Sequence, residues 1–527
     1  MNRAEMLDRA MARQEPWDMV IIGGGAVGMG VAVDAASRGY EVLLVEQHDF
    51  GKGTSSRSTK LVHGGVRYLE QGAVSLVMEA LKERGLLRRN APHLVTDLAF
   101  VVPNYEWWEA PFYGVGLKVY DLLAGRYGFG AAEILSREET LARLPTIKTE
   151  GLRGGVVYYD GQFDDTRLLI NLAATAAEQG AVALNYTPAT AVTRGADGFV
   201  NGVVARDLEG GRQFRAPARV VINATGPQSD RVRRLAHPDA APLIAPSQGI
   251  HLVFDGSLLL GGHAIMVPHT TDGRVMFAIP WHGHTVVGTT DTPVDEVPLE
   301  PRPLDEEIDF ILETAGNYLQ RPVSRADVLS VFAGIRPLVR SGSGGATAST
   351  TASLSRDHTI HIDPSGLLTI AGGKWTTYRH MAEDCVDHAA TLAHLPEKPC
   401  VTRNLNVHGF HHQAHNFGAL SVYGSDALLI QDLVRAEPAL GTRIHPALHY
   451  CGAEVVWAAR VEMARTVEDV LARRTRALFL DAQAAIAMAP ETARLLAREL
   501  GRDQAWQTGQ VEAFRATAQG YLVEAGP

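Results

Sequence analysis

Apolar positions fall into runs and periods that change along the chain. Residues 18–22 and 41–45 are two short apolar runs. Between them lie a glycine cluster and a stretch of small residues with helical character, so 18–46 predicts one β-α-β unit. Ala73, Leu76, Val77, Ala80 and Leu81 recur at helical spacing and predict an amphipathic helix over 73–89. From 155 to 290 the pattern is mixed. A helix over 168–179 is followed by short strands with turn signals at Asp197-Gly198 and Gly210-Gly211. Val275–Ile279 and Thr285–Val287 flank Pro280-Trp281-His282-Gly283-His284 and predict a hairpin. The region reads as antiparallel sheet inserted between pieces of the first domain. Residues 341–353 are a Ser/Gly/Thr-rich loop. Pro396 and Pro399 mark a linker, and the chain after about 418 reads as helix. Thr466 and Asp469 form a capping box, and Pro490 at a first turn with Gly501 after Leu500 brackets a further helix.

Composition narrows the function classes. Apolar residues make up 46% and charged residues 20% of 527, the balance of a globular protein with a large core. The net charge of −10 leaves no basic excess to displace counterions from phosphates, which argues against nucleic acid as a partner. Cys385, Cys400 and Cys451 form no C-x-x-C pair and no disulfide framework. The charged N-terminal residues do not read as a signal peptide, and no run of 18 uncharged apolar residues predicts a membrane span. His408, His411, His412 and His415 would share a face on a helix. Gly409 and the linker position argue for an exposed polar stretch instead, and no metal site is assigned.

The glycine cluster carries the first chemistry. Gly23-x-Gly25-x-x-Gly28 follows a strand and opens a helix. The first glycine permits the turn, the second lets backbone approach a pyrophosphate, and the third lets helix pack on strand. Glu46 ends the next strand, where an acid binds a ribose hydroxyl. The unit therefore predicts a dinucleotide site. Two further strand–glycine junctions, Asn223-Ala224-Thr225-Gly226 and Gly372-Gly373-Lys374-Trp375-Thr376-Thr377, put turns at strand carboxyl ends, where α/β folds bind ligands. In Thr54-Ser55-Ser56 and the following Lys60, hydroxyls and a cation suit phosphate contact. His63 beside Gly64 and Gly65 suits a planar ring.

These segments, with Lys60-Leu61-x-His63-Gly64-Gly65-x-Arg67-Tyr68, Gly288-Thr289-Thr290-Asp291, Gly334-Ile335-Arg336-Pro337-Leu338, Ser355-Arg356-Asp357 and Thr376-Thr377-Tyr378-Arg379, occur in an order that resembles the FAD-dependent glycerol-3-phosphate dehydrogenases over about 18–390. The tail, with Glu462–Thr466 and Asp469–Thr475, looks like that family's C-terminal domain. The resemblance implies an α/β glutathione-reductase-type FAD-binding fold with a mixed-sheet substrate domain and an all-helical C-terminal domain. It places the oxidoreductase region at 18–395, with FAD-binding segments at about 18–100, 155–230 and 355–395. Substrate-domain segments fall at about 100–155 and 230–355, a linker at 396–417 and the helical domain at 418–527.

It further implies oxidation of sn-glycerol 3-phosphate to dihydroxyacetone phosphate, with FAD as hydride acceptor and a membrane quinone as electron acceptor. Glycerol-3-phosphate oxidase, which uses O₂, is the alternative. The implied cofactor contacts are Gly23, Gly25, Gly28, Glu46, Thr54, Ser55, Ser56, Lys60, Leu61, His63, Gly64, Ala224, Thr225, Gly226, Gly373, Lys374 and Thr376. Arg67, Tyr68, Arg336, Arg356 and Lys374 are the implied substrate ligands, since a dianion needs forked cations and a point charge. His63, His251, Arg336 and Lys374 are the catalytic candidates, and the choice of proton acceptor between His63 and His251 stays open.

Seven aromatics between Phe100 and Tyr120 (Phe100, Tyr105, Trp107, Trp108, Phe112, Tyr113 and Tyr120) suit a headgroup region, with Lys118 and Arg126 beside them. They predict peripheral attachment to the inner face of the cell membrane from the cytoplasm. Packing against the core or a partner subunit is the other reading, and a homodimer stays open.

Overall fold

The first unit folds as its pattern predicts. Strands Trp17–Ile22 and Val42–Val45 pair in parallel, joined by the helix Ala26–Ser37. The strands carry near-continuous apolar residues because helices cover one face of the sheet they join, and further helices with a small antiparallel sheet cover the other. The structure, a computed structural model, describes residues 1–70, 72–268, 270, 274–340 and 358–524, with Arg67 and Glu70 described in their backbone alone.

The first sheet runs in the order His358–Ile362, Leu368–Gly372, Gln213–Asn223, Trp17–Ile22, Val42–Val45, Val182–Leu184. All its neighbours are parallel except the first pair. Gln213–Asn223 is long enough to do two things. Its first half pairs antiparallel with Val200–Arg206, and its second half joins the central sheet. Helices Asp165–Glu178 and Tyr378–Leu392 pack against Ala26–Ser37 around Met29, Leu172 and Met381.

The second sheet is mixed. Its spine is Ile244–Asp255, which pairs antiparallel with Ser330–Val339 on one side and His284–Gly288 on the other. Met276–Trp281 and His284–Gly288 form the predicted hairpin across His282 and Gly283, both at positive φ. Ala264–Val267 then pairs in parallel with Val95–Asn104, which pairs with Gly154–Phe163. The domain divisions at 100 and 155 shift accordingly. Val95–Asn104, Gly154–Phe163 and even Leu61–Val62 are strands of the second sheet. Their apolar alternation does not reveal which sheet they join.

The C-terminal part corrects two expectations. Helix begins at Ala427, because residues 414–426 form short 3₁₀ turns broken at Gly418 and Gly424. Pro490 lies inside the helix Ala482–Leu500, whose N-cap is Asp481, accepting from Ala484 N at 2.9 Å; Gly501 ends it at φ 63. The Thr466–Asp469 box forms, with Thr466 N donating to Asp469 Oδ2 at 3.0 Å and Asp469 N to Thr466 Oγ1 at 3.1 Å. His408 is neither helical nor simply exposed. Its ring bridges Glu178 (2.6 Å) and Asp426 (2.8 Å), and those two hydrogen bonds push its pKa up to about 9 against burial.

An ionic seam joins the C-terminal helices to the first domain. Arg474 grips Asp49 with Nη1–Oδ2 at 2.6 Å and Nη2–Oδ1 at 2.9 Å, while Arg473 Nε reaches Asp49 Oδ2 at 2.5 Å. Arg476 Nη2 donates to Asp165 Oδ1 at 3.0 Å and to Ser56 O at 2.8 Å. Arg167 forks onto Glu462 at 2.7 and 2.9 Å. All these side chains are buried. Burial pushes the Asp49 carboxyl up, but Arg474 and Arg473 outweigh it and hold the pKa at about 2. Phe479 from the same segment packs on Phe332 of the second sheet at 5.0 Å, so the second sheet and the tail share one interior.

Asp49→Asn leaves two buried guanidiniums underpaired. It should lower stability by about 3–5 kcal/mol, read as a lower denaturant midpoint with an unchanged slope.

Candidate functional site

The carboxyl ends of the parallel strands and the concave face of the second sheet enclose a cavity of about 2210 Å³. That exceeds the roughly 300–1,000 Å³ of an ordinary small-molecule pocket, which leaves space for a dinucleotide and a second ligand together.

At one end the backbone is cleared for a phosphate. Gly23 (φ 111) sits where a Cβ would lie 2.7 Å from Ala224 O, and Gly25 opens onto the cavity at the start of Ala26–Ser37. The first N–H groups of that helix point into this space, an anion site by dipole and by donors. Ser55 Oγ accepts from Ala26 N at 2.9 Å, which brings its hydroxyl to the same place. Thr54 Oγ1 donates to Ile335 O at 2.6 Å and ties the loop to the second sheet. Glu46 faces the cavity and accepts from Gly24 N (2.7 Å) and His48 N (2.9 Å). Burial nevertheless pushes its carboxyl up. Ala224, Thr225 and Gly226 complete this wall.

At the other end the cations gather. Arg336 is aimed by four acceptors: Thr290 O at 2.9 Å, Thr289 Oγ1 at 3.1 Å, and Asp291 Oδ1 and Gln248 O at 3.2 Å. Gly249 makes room for it, since a Cβ there would meet Nη2 at 2.3 Å. Lys374 Nζ lies 4.0 Å over the Tyr68 ring. His63 N donates to Thr376 Oγ1 at 3.1 Å, joining the Gly373–Thr376 turn to the His63 loop. His63, Tyr68, His251, Arg336, Gly373, Lys374 and Thr376 all line this one cavity, with Leu61 beneath them. His251 is 2% exposed, and burial, then the Lys60 and Arg336 cations, hold its imidazole well below the ordinary value.

Four expected contacts lie elsewhere. Lys60 points away from the cavity, with Nζ at 2.6 Å from Asp165 and 2.8 Å from Ser56 O. Burial pulls its ammonium down to about 7 against the pull of Asp165. Ser56 is turned inward onto Gly53 O at 3.3 Å. Gly64 packs against Tyr120, whose hydroxyl accepts from its N at 2.8 Å; the neighbour on the wall is Gly65, at φ 75. Gly28 lies behind the wall, where a Cβ would come within 1.9 Å of Gly23 O, so its part is helix packing. The Arg67 side chain and Arg356 fall outside the described residues. Sequence reading missed Arg57, Thr59 and Arg274 on the wall. The first two sit inside a motif already singled out, between residues chosen for phosphate contact.

Glycine-cleared backbone at a helix N-terminus, an acid at the end of the second strand, and a second ligand space beside it fit FAD. Gly23, Gly25, Glu46, Ser55 and Thr225 would hold its nucleotide half. The fold and this site define an FAD-dependent oxidoreductase.

Comparisons agree. The profile described as FAD dependent oxidoreductase matches residues 18–379, and that of the C-terminal domain of alpha-glycerophosphate oxidase matches 368–507. The probable mitochondrial glycerol-3-phosphate dehydrogenase of Caenorhabditis elegans is 40% identical over 536 residues, covering 96% of this chain and 73% of that protein. The mitochondrial glycerol-3-phosphate dehydrogenase of Homo sapiens is also 40% identical, over 95% of this chain and 72% of its own length. The glycerol-3-phosphate dehydrogenase of Bacillus halodurans, solved with FAD, superposes with a TM-score of 0.79 at 29% identity, over 99% of this chain and 97% of that one. The chain belongs to the FAD-dependent glycerol-3-phosphate dehydrogenase family, and FAD is its cofactor.

Gly28→Ala should yield protein that folds but purifies nearly colourless, because the added methyl forces the helix off the turn. The same change at Gly509, where a Cβ meets open space, should leave the flavin absorbance per protein unchanged.

Proposed function

We propose that the protein oxidises sn-glycerol 3-phosphate at C2 to dihydroxyacetone phosphate and delivers the electrons to a membrane quinone, docked on the inner face of the cell membrane. The observation that carries the acceptor is an apolar stripe continuous with the cavity. On the helix Glu109–Ala124, Phe112, Val115, Val119 and Leu122 are exposed along one face, with Trp107 and Trp108 just before it. Trp107 is 75% and Leu122 80% exposed. Trp108, Phe112, Val115 and Val119 also line the cavity, so its rim is itself the apolar surface.

The expected aromatic cluster divides. Phe100, Tyr113 and Tyr120 are buried in the core, and aliphatic residues complete the stripe. Such a face on an amphipathic helix suits the headgroup boundary, and a lipid-soluble acceptor could enter there without crossing water. None of the described helices is long and apolar enough to cross a membrane.

Bound FAD supplies the acceptor for the hydride leaving C2. The chain's residues supply position and proton transfer. Arg336, held by fixed acceptors, and Lys374 receive the dianion without reorganising. His63 takes the hydroxyl proton: it is half-buried on the wall, whereas His251 is sealed beside two cations that oppose its protonation.

Anaerobic glycerol 3-phosphate should bleach the flavin, and a quinone analogue should restore it faster than O₂ does. Stoichiometric peroxide in air, with no response to quinone, would make the protein an oxidase. Arg336→Ala should cost about 2–5 kcal/mol in kcat/KM at normal flavin content, with Arg336→Lys recovering part. Trp107→Asp with Leu122→Asp should reduce flotation with liposomes while substrate still bleaches the flavin. Unchanged flotation would place attachment elsewhere.

A further inference from the structure

The contact between Thr59 and His251 has no part in the chemistry so far. Both residues line the cavity, and Thr59 Oγ1 lies 3.0 Å from His251 Nε2. The imidazole cannot turn. It stacks on Phe332 at 4.9 Å and 15°, and its other side lies over Gly288, where a Cβ would come within 2.4 Å of Cδ2. Both neighbours follow from register, since His251 is opposite Gly288 on one strand and Phe332 on the other.

The geometry decides the tautomer. His251 Nδ1 is buried and has no hydrogen-bond partner among the described residues. A proton there would be an unpaired buried donor, close to the Lys60 and Arg336 cations. An orphaned lone pair costs less. The ring therefore carries its proton on Nε2 and donates it to Thr59 Oγ1. The hydroxyl hydrogen of Thr59 is thereby turned away from His251. Among the described residues Thr59 makes no second side-chain hydrogen bond, and the open side is the cavity that holds Arg336 and Lys374.

We propose that Thr59 donates its hydroxyl hydrogen to the C2 oxygen of the substrate, and that His251 is the positioning residue that aims it. This rests on the reaction proposed above. As the C2 hydroxyl gives its proton to His63 and the hydride leaves C2 for bound FAD, negative charge builds on that oxygen before the carbonyl forms. Thr59 keeps its own proton throughout. A donor fixed in advance at that point binds the transition state more strongly than the alcohol.

The test is anaerobic stopped-flow reduction of the holoenzyme by glycerol 3-phosphate. Thr59→Val should slow bleaching on the order of 100-fold, with wild-type flavin content and an unchanged oxidised spectrum. It should also weaken calorimetric binding of dihydroxyacetone phosphate roughly tenfold. Thr59→Ser, which keeps the donor, should recover most of the rate. His251→Gln places an N–H where Nε2 was and should recover most of what His251→Leu loses. Wild-type bleaching by Thr59→Val overturns the proposal. A displaced oxidised spectrum in that variant also overturns it, because the hydroxyl then serves the cofactor. If His251→Gln is as slow as His251→Leu, His251 is the base and not a positioning group. If wild-type enzyme is not bleached at all, the substrate reading fails and the proposal, which rests on it, falls with it; wild-type bleaching with an unimpaired Thr59→Val variant overturns the proposal alone.

Discussion

Asp49 is the point on which the molecule closes. It lies just beyond the second strand of the dinucleotide unit, and its two oxygens are held by Arg473 and Arg474, over 400 residues further along the chain. Such a group cannot be left alone. Three charges taken out of water are tolerable only together, and removing one strands the others. The pairing therefore forces the tail onto the first domain. Arg476 then reaches Ser56 O and Asp165, and Asp165 holds Lys60. The loop from Glu46 to Lys60, which carries Ser55 to the phosphate end and Thr59 to the reacting end, is fixed from behind by the C-terminal helices. Catalytic geometry in the first domain is thus a property of the whole chain.

This arrangement explains what could be read in advance. The glycine fingerprint with Glu46 was legible because its physics is local: each residue acts within one strand–turn–helix. Arg336 was legible through the family resemblance that Gly334-Ile335-Arg336-Pro337-Leu338 carries, and it sits within a strand, Ser330–Val339. Lys60, Ser56 and Gly64 were misread for one reason. Each is next to a residue that does reach the wall, Ser55, Leu61 and Gly65, and composition does not say which way a residue in a turn or loop faces. Lys60 looked like a phosphate cation because its true partner, Asp165, is 105 residues away. The partners of the arginines at 473–476 were not legible, since nothing local reveals a buried carboxylate opposite them. Pro490 was read as a helix start, while packing of Ala485, Met488, Ala489 and Ala493 carries the helix through it.

The cavity is polarised from end to end. One end offers backbone donors and a helix dipole, the other offers cations, and the rim between Ala73 and Val119 is apolar. A single pocket with such a gradient suits ligands of different character: a charged nucleotide, a small dianion and an uncharged lipophilic molecule. Because the helix Glu109–Ala124 packs Tyr113, Leu117 and Tyr120 into the second sheet, its opposite face has no room in the core. The exposed stripe follows from that helix being apolar on both sides.

Charge sharpens the same division. The chain carries −10 overall, yet the cavity walls carry Arg57, Arg274, Arg336 and Lys374. A local positive region inside a negative molecule draws a dianion to one place and disfavours it elsewhere, so affinity and orientation have a common source. The same overall sign works against adsorption to an anionic bilayer. The attachment proposed above would then draw chiefly on burial of Trp107, Phe112, Val115 and Leu122, a force that screening by salt barely touches. The cationic wall and the apolar stripe thus offer forces of different kinds, and Trp108, Phe112, Val115 and Val119 belong to both the cavity rim and the stripe.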